Sequence, residues 1–182
     1  MKKIILVLTL SCAFFLTQAQ EESPTSKGKT LLNINTGIFG GSGGVNLIPI
    51  QLGMDFFVIN NLSAGFNVGW RYYASQDVVG NPSLITAQAV VDYHFNQVMN
   101  LSNSWDFYAG VKLGTGYMTT DKDLEGYNLS YSNGFKFVFD GRVGVRYYFN
   151  SSLAVNSEVG VTSVSGTKTT AASFIVGVTV GL

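Results

Sequence analysis

Apolar and polar residues alternate at every second position over most of this chain. The alternation is clearest over residues 135–149, where aromatic and branched residues occupy odd positions and charged residues occupy even ones. Because successive side chains of a β-strand point to opposite faces, a period of two predicts strands. Eight segments show it: 31–39, 45–58, 62–73, 84–95, 105–118, 135–149, 153–163 and 171–182.

The connections between these segments differ in length at the two ends of the strands. Residues 60–61 and 150–152 form tight polar turns and 96–104 a longer one, whereas the opposite ends carry the longer connections 40–44, 75–83, 119–133 and 164–170. Pro49 has no N–H, so we expect it at a bulge or outside the ladder of the second segment. An even strand count with short turns at one end predicts an all-β, antiparallel up-and-down transmembrane β-barrel of eight strands.

Soluble barrels of the lipocalin type alternate in the same way, with the apolar face turned inward. Here the apolar faces carry about fifteen aromatic rings, far more than the interior of an eight-stranded barrel can hold. No charged residue falls on an apolar face, and Arg or Lys at the bilayer midplane would cost about 2–4 kcal/mol. We therefore predict that bulky residues face lipid, while small or charged residues face the lumen.

Aromatic residues of the apolar faces lie near the strand ends, where two girdles at the membrane interfaces would place them. The alternative explanation is strand propensity alone, since aromatic residues favour strands in any case; we favour the membrane interpretation. The predicted interfacial residues are Phe56, Tyr93, Phe95, Trp105, Phe107, Tyr147 and Phe149 at the periplasmic ends, and Trp70, Tyr72, Tyr117 and Phe135 at the outer ends.

Residues 1–19 read as a signal peptide, with lysines at positions 2–3, an apolar run too short to span a bilayer, and small residues before a predicted cleavage at Gln20. A short periplasmic segment, 20–30, and a barrel, 31–182, would remain. Cys12 is the single cysteine. Its place inside the apolar run argues against a lipoprotein anchor, and its removal leaves no thiol chemistry.

Composition narrows the function classes. Lys and Arg total 11, as do Asp and Glu, and charged residues make up 12% of the chain, against about 25% in soluble domains. The sequence has no basic run or patch, so nothing in it indicates nucleic-acid binding. After residue 19, no apolar stretch is long enough for a transmembrane helix.

The chain resembles the small eight-stranded outer-membrane barrels of the OmpA/OmpX type over residues 31–182. The resemblance rests on the eight segments, on the phrase Leu52-Gly53-Met54-Asp55-Phe56-Phe57 and on a final strand that runs to the C-terminus. It implies a monomer in the cell outer membrane with periplasmic termini, in contact with outer-membrane lipid and with the insertion machinery.

Ten charged residues are predicted to face the lumen, five of each sign. Charges in a confined interior must be paired or neutralised, so we predict a salt-bridge network that fills the lumen. Rearranged ion pairs could instead open a narrow path of low conductance. The ten residues are Asp55, Arg71, Asp92, Asp106, Lys112, Lys136, Asp140, Arg142, Arg146 and Glu158.

His94, the single histidine, falls near inward Asp92. A serine-type site would need a nucleophile and an oxyanion pocket at the same place, and His94 lies near the closed periplasmic end. We therefore interpret it as a lumen histidine hydrogen-bonded to a carboxylate, and predict no enzyme activity.

Residues 121–126 resemble the start of a calcium loop, but position twelve is Ser132 instead of an acid. We therefore predict no metal or other cofactor there, and interpret the segment as a solvated loop with exposed aromatics that could anchor an extracellular partner. The candidate interaction residues are Asp121, Asp123, Glu125, Tyr127 and Tyr131.

The sequence thus favours a non-enzymatic outer-membrane barrel with a plugged lumen, which serves envelope structure or surface interaction through its outer loops. The alternative is a narrow porin-like channel for ions or small solutes. A soluble lipid carrier would need the two faces inverted.

Overall fold

A computed structural model of the protein describes residues 23–41, 44–46, 49–72, 83–119, 133–166 and 170–182. Residues 23–29 form turns, and nine strands and one short helix follow. Their bounds are β1 Thr30–Gly41, β2 Gly44–Asn46, β3 Ile50–Ile59, β4 Leu62–Tyr72, β5 Ser83–His94, α1 Asn96–Met99, β6 Trp105–Thr119, β7 Gly134–Asn150, β8 Leu153–Val164 and β9 Thr170–Gly181.

The strands form one closed antiparallel sheet. Each long strand pairs with the next along the chain, and β9 pairs with β1, as in the register pair Ile34 and Val178. Within the described residues, β2 pairs only with the end of β1, so the other eight strands make the barrel. The predicted fold class is confirmed. The predicted segment 45–58 is divided into β2 and β3, and Pro49 lies between them, outside the ladder.

The two ends of the barrel differ, and we name them by their connections. The turn end carries the β3–β4 and β7–β8 turns, α1 and both ends of the described chain; the other is the loop end. Asn61 closes the β3–β4 turn with a φ of 64°. At the β7–β8 turn, Oδ1 of Asn150 accepts hydrogen bonds from the backbone N–H groups of Ser152 and Leu153, each 2.9 Å long.

The outer face of the wall is apolar and exposed. On β7 the odd-numbered Phe137 and Val143 are 55% and 53% exposed, whereas Arg146 on the even-numbered face is 0% exposed. Such a continuous apolar belt is unfavourable in water and matches hydrocarbon. Among the described residues, no helix is long and apolar enough to cross a membrane.

The inner face also holds bulky apolar side chains, so the expectation that only small or charged residues point inward was wrong. Several inward-facing positions carry apolar instead of charged residues, because the interior must be filled to protein density. Leu84, Met118, Val138 and Val164 form one buried cluster at the loop end. The buried apolar residues of the inner face include Leu31, Phe39, Phe57, Leu84, Tyr108, Met118, Val138, Tyr148, Val164 and Ile175.

The predicted signal peptide, 1–19, lies outside the described residues and stays a prediction. The predicted periplasmic segment 20–30 is described from Ser23 onward: residues 23–29 form turns at the turn end, and Thr30 begins β1.

Candidate functional site: the polar interior

The polar side chains of the even-numbered β7 face and its counterparts on the other strands meet inside the barrel. Nine of the ten predicted lumen residues lie there in ion pairs with one another. Lys136, nearer the loop end of β7, is only half-buried. The nine are Asp55, Arg71, Asp92, Asp106, Lys112, Asp140, Arg142, Arg146 and Glu158.

Arg146 organises the cluster nearest the turn end. Its Nη2 lies 2.9 Å from Oδ2 of Asp55 on β3, and its Nη1 lies 3.2 Å from Oδ2 of Asp106 on β6. The guanidinium also lies 4.3 Å from the ring centroid of Tyr108, at a cation–π distance. All of this is shielded from water, so each charge depends on its partners.

His94 connects this cluster to β4. Its Nδ1 lies 2.8 Å from Oδ1 of Asp106, and its Nε2 lies 3.1 Å from Oγ of Ser63. The carboxylate beside the histidine is therefore Asp106 on the adjacent strand, whereas the nearby Asp92 binds Arg142 instead. Ser63 was not among the predicted residues, although it lies on the polar face of its strand.

Ser63, His94 and Asp106 have the order of hydrogen bonds found in serine hydrolases. All three residues are 0% exposed, and the histidine ring packs between the rings of Phe57 and Tyr108, with centroids 4.6 and 5.6 Å away. A nucleophile must reach a substrate carbonyl. The geometry here therefore fits a relay of hydrogen bonds that fixes the histidine.

Arg142 organises the central cluster. Its Nη2 lies 2.5 Å from Oδ2 of Asp92 and its Nη1 2.6 Å from Oε1 of Glu158. Oε1 of Glu158 also accepts a hydrogen bond from the hydroxyl of Tyr108, 2.9 Å away. Lys112 Nζ lies 3.5 Å from the other oxygen, Oε2. Two cations therefore share one buried glutamate.

Asp140 organises the cluster nearest the loop end. Arg71 reaches across the lumen to place Nη2 3.1 Å from Oδ2 of Asp140. Gln88 donates to the same oxygen over 2.7 Å, and the hydroxyl of Thr162 donates to Oδ1. The guanidinium of Arg71 also lies 4.3 Å from the ring centroid of Phe39. Hydrogen bonds from neutral donors thus add to the ion pair that holds this carboxylate.

Little free space remains between the central and loop-end clusters. A cavity of about 10 Å³ is lined by Arg71, Lys112, Arg142 and Glu158 with their neighbours. That volume is about the minimum needed to hold one water molecule. The apolar cluster of Leu84 lies beyond it at the loop end.

The eleven predicted interfacial aromatics lie on the outer face. At the turn end Trp105 packs against Tyr147 with centroids 4.8 Å apart, and at the loop end Tyr117 packs against Phe135 at 5.2 Å. Their assignment to lipid interfaces stays a prediction.

The candidate loop residues Asp121, Asp123, Glu125, Tyr127 and Tyr131 lie outside the described residues. Within the described part of the chain, no group of three or more His, Cys, Asp or Glu side chains is placed to hold a metal ion.

No protein-family model matches this sequence, and no curated protein sequence matches it. Solved structures match in fold. Neisserial surface protein A is 15% identical with a TM-score of 0.61, over 84% of this chain and 95% of that one. OprG from Pseudomonas aeruginosa is 10% identical with a TM-score of 0.57, over 88% and 99%. Ail, the attachment invasion locus protein of Yersinia pestis, is 8% identical with a TM-score of 0.53, over 86% and 99%.

This chain has the fold of the small eight-stranded outer-membrane barrels. Its apolar belt and closed wall suit the cell outer membrane, which is where the protein belongs. Short turns of such barrels lie in the periplasm and longer loops outside the cell, so we expect the turn end to be the periplasmic end of this outer-membrane barrel.

Proposed function

We propose that this outer-membrane barrel is a closed, non-enzymatic envelope protein whose interior is plugged by ion-paired side chains, although some buried polar atoms among them, such as Nε of Arg71 and of Arg146, have no hydrogen-bond partner among the described residues. The observation that carries the proposal is the pairing of nine buried charges in the lumen, with a cavity of about 10 Å³ between the described residues of the central and loop-end clusters. Moving an ion through the lumen would require several of these pairs to break inside a desolvated interior, where an unpaired charge is costly.

Planar-bilayer recording of the refolded protein tests the closed lumen. We expect no discrete conductance steps from the wild-type barrel. A Val143→Ala variant, changed on the lipid face only, is the matched control and should stay silent as well. Discrete steps in the wild type that change in an Arg142→Ala variant but not in Val143→Ala would establish the alternative, a narrow channel for ions or small solutes.

We propose that the working surface of the protein is its set of outer loops, with the barrel as a monomeric anchor held by outer-membrane lipid and inserted by the cellular insertion machinery. Support comes from the sequence of residues 121–131, which combines acidic and aromatic residues suited to a protein interface. Ail, which has the same fold, is named for attachment and invasion.

Binding of cells that display this barrel tests the role of the loop. Deleting residues 121–131 should abolish attachment to whichever surface the wild type binds, while folded barrel stays at the same level in the outer membrane. A replacement of the same length by Gly and Ser is the control for loop length and should lose attachment equally. Full attachment by both variants would refute the role of this loop.

A further inference from the structure

A polar cleft of about 300 Å³ opens at the periplasmic turn end, apart from the charged interior. Ligand sites in proteins begin at about this size. Serine and threonine side chains of the 23–26 segment form one wall, the β3–β4 turn a second, and α1 with the residues after it a third. The lining residues that matter below are Asn60, Asn61, Asn96, Gln97, Asn100 and Leu101.

Hydrogen bonds between the three walls hold the cleft in shape. The hydroxyl of Thr25 donates to Oδ1 of Asn61 over 3.1 Å, and Nδ2 of Asn61 donates to Oε1 of Gln97 over 2.7 Å. The backbone N–H of Asn61 also donates to the carbonyl of Thr25, 3.1 Å away. Because these amides are already ordered, a ligand would bind them at little entropic cost.

Asn96 leaves one strong acceptor unused. Its side chain is 7% exposed, and its Nδ2 donates to the carbonyl of Trp105 over 2.8 Å. Its Oδ1 is buried and accepts no hydrogen bond from the described residues. A buried acceptor without a donor is costly; since this oxygen is shielded from solvent, a ligand hydroxyl or amide N–H would satisfy it only after the Asn96 side chain turns toward the cleft. Asn100, exposed with a φ of 50°, adds a further amide on the same side.

The chemistry of the lining selects the ligand class. None of the described residues that line the cleft is charged, and five of them are asparagines, whose amides both donate and accept. An ionic ligand would find no counter-charge. Peptide recognition usually uses apolar subsites or a free strand edge. Leu101 is the one apolar residue among the described lining, and the closed barrel sheet offers no free edge. We propose that this cleft binds an uncharged saccharide on the periplasmic side.

NMR titration of the refolded barrel in lipid nanodiscs tests the proposal, with two probes that separate sources of the same chemistry. Chitotriose represents N-acetylated cell-wall glycan, and maltotriose represents a glucan without amides. We expect saturable shifts of the backbone amides of residues 60–61 and 96–101 by at least one probe, in the millimolar range. A stronger response to chitotriose would assign an N-acetylated glycan.

An Asn100→Gly variant keeps the left-handed backbone and removes the amide, so the barrel should fold. Its affinity should fall by about ten-fold, as expected for a lost hydrogen bond. Ser102→Ala, an exposed change beside the cleft but outside its lining, should bind as the wild type does. The proposal is overturned if neither saccharide shifts these amides, if Asn100→Gly binds equally well, or if a neutral peptide such as Gly-Asn-Gly binds more tightly than both saccharides.

Discussion

Arg142 and Val143 are neighbours on β7, yet they face environments with opposite rules. Arg142 points into the lumen, where its guanidinium meets two carboxylates, while Val143 is 53% exposed on the outer face. In the lumen, each charged side chain depends on particular ion-pair partners on other strands. Outside, any apolar side chain will do, because lipid is a non-specific solvent. The comparison teaches that one strand carries two separate kinds of constraint, which mutations can separate.

The largest effect should come from leaving a buried charge without its partner. Arg142→Ala removes the hydrogen bonds to Asp92 at 2.5 and 3.2 Å and the pair with Glu158. We expect a loss of about 3–5 kcal/mol in the free energy of unfolding, measured by urea denaturation in lipid vesicles. Adding Asp92→Asn should recover part of that loss, since the uncompensated carboxylate is gone. Unchanged stability of Arg142→Ala would refute the network.

The converse change tests the outer face. Val143→Arg places a cation in the apolar belt and should cost about 2–4 kcal/mol if that position lies near the bilayer midplane. Val143→Leu, which preserves the apolar character, should differ little from the wild type. A well-tolerated Val143→Arg in the same urea experiment would show that this face does not contact hydrocarbon.

A smaller effect should follow from filling space inside the wall. A Cβ on Gly144 would lie 2.4 Å from Cζ of Tyr108, whereas a Cβ on Gly40 would meet no atom within 4 Å. Gly144→Ala should therefore cost about 1–3 kcal/mol through overpacking, and Gly40→Ala should be close to neutral. Equal stability of the two variants would mean that the interior is looser than described.

The smallest effect should come from Ser63, whose hydroxyl only completes the hydrogen bonding of His94. Ser63→Ala should lower stability by about 0.5–1.5 kcal/mol. A fluorophosphonate probe that labels reactive serines should leave the wild-type barrel unlabelled, because Ser63 is 0% exposed. Labelling that Ser63→Ala abolishes would instead indicate a serine hydrolase.

The strand pattern and the sidedness of β7 could be predicted from the sequence because both follow from a period of two. The partners within the lumen could not. Arg146 reaches Asp55 on β3, 91 positions away in the chain, and alternation says which face a residue occupies but not which residue lies opposite. Local sequence also placed His94 next to Asp92, whereas the fold gives it Asp106 on the neighbouring strand.

The apolar residues of the inner face were missed for a related reason. Leu84 and Val138 lie on the same alternating positions as Gln88 and Asp140, so their sidedness could have been read from the pattern. The expectation that inward residues are small or charged left these two apolar residues out of the predicted interior. Ser63 likewise lay on the predicted polar face, but no local motif distinguishes it from other serines there.

Polarisation-transfer solid-state NMR of the barrel in lipid bilayers tests the central claim without altering a residue. We expect rapid transfer from acyl-chain protons to Val143 and Phe137, and slow transfer from bulk water to the guanidinium groups of Arg142 and Arg146. Rapid transfer from water to those two arginines would mean an open, hydrated lumen, and would contradict the closed interior proposed for this protein.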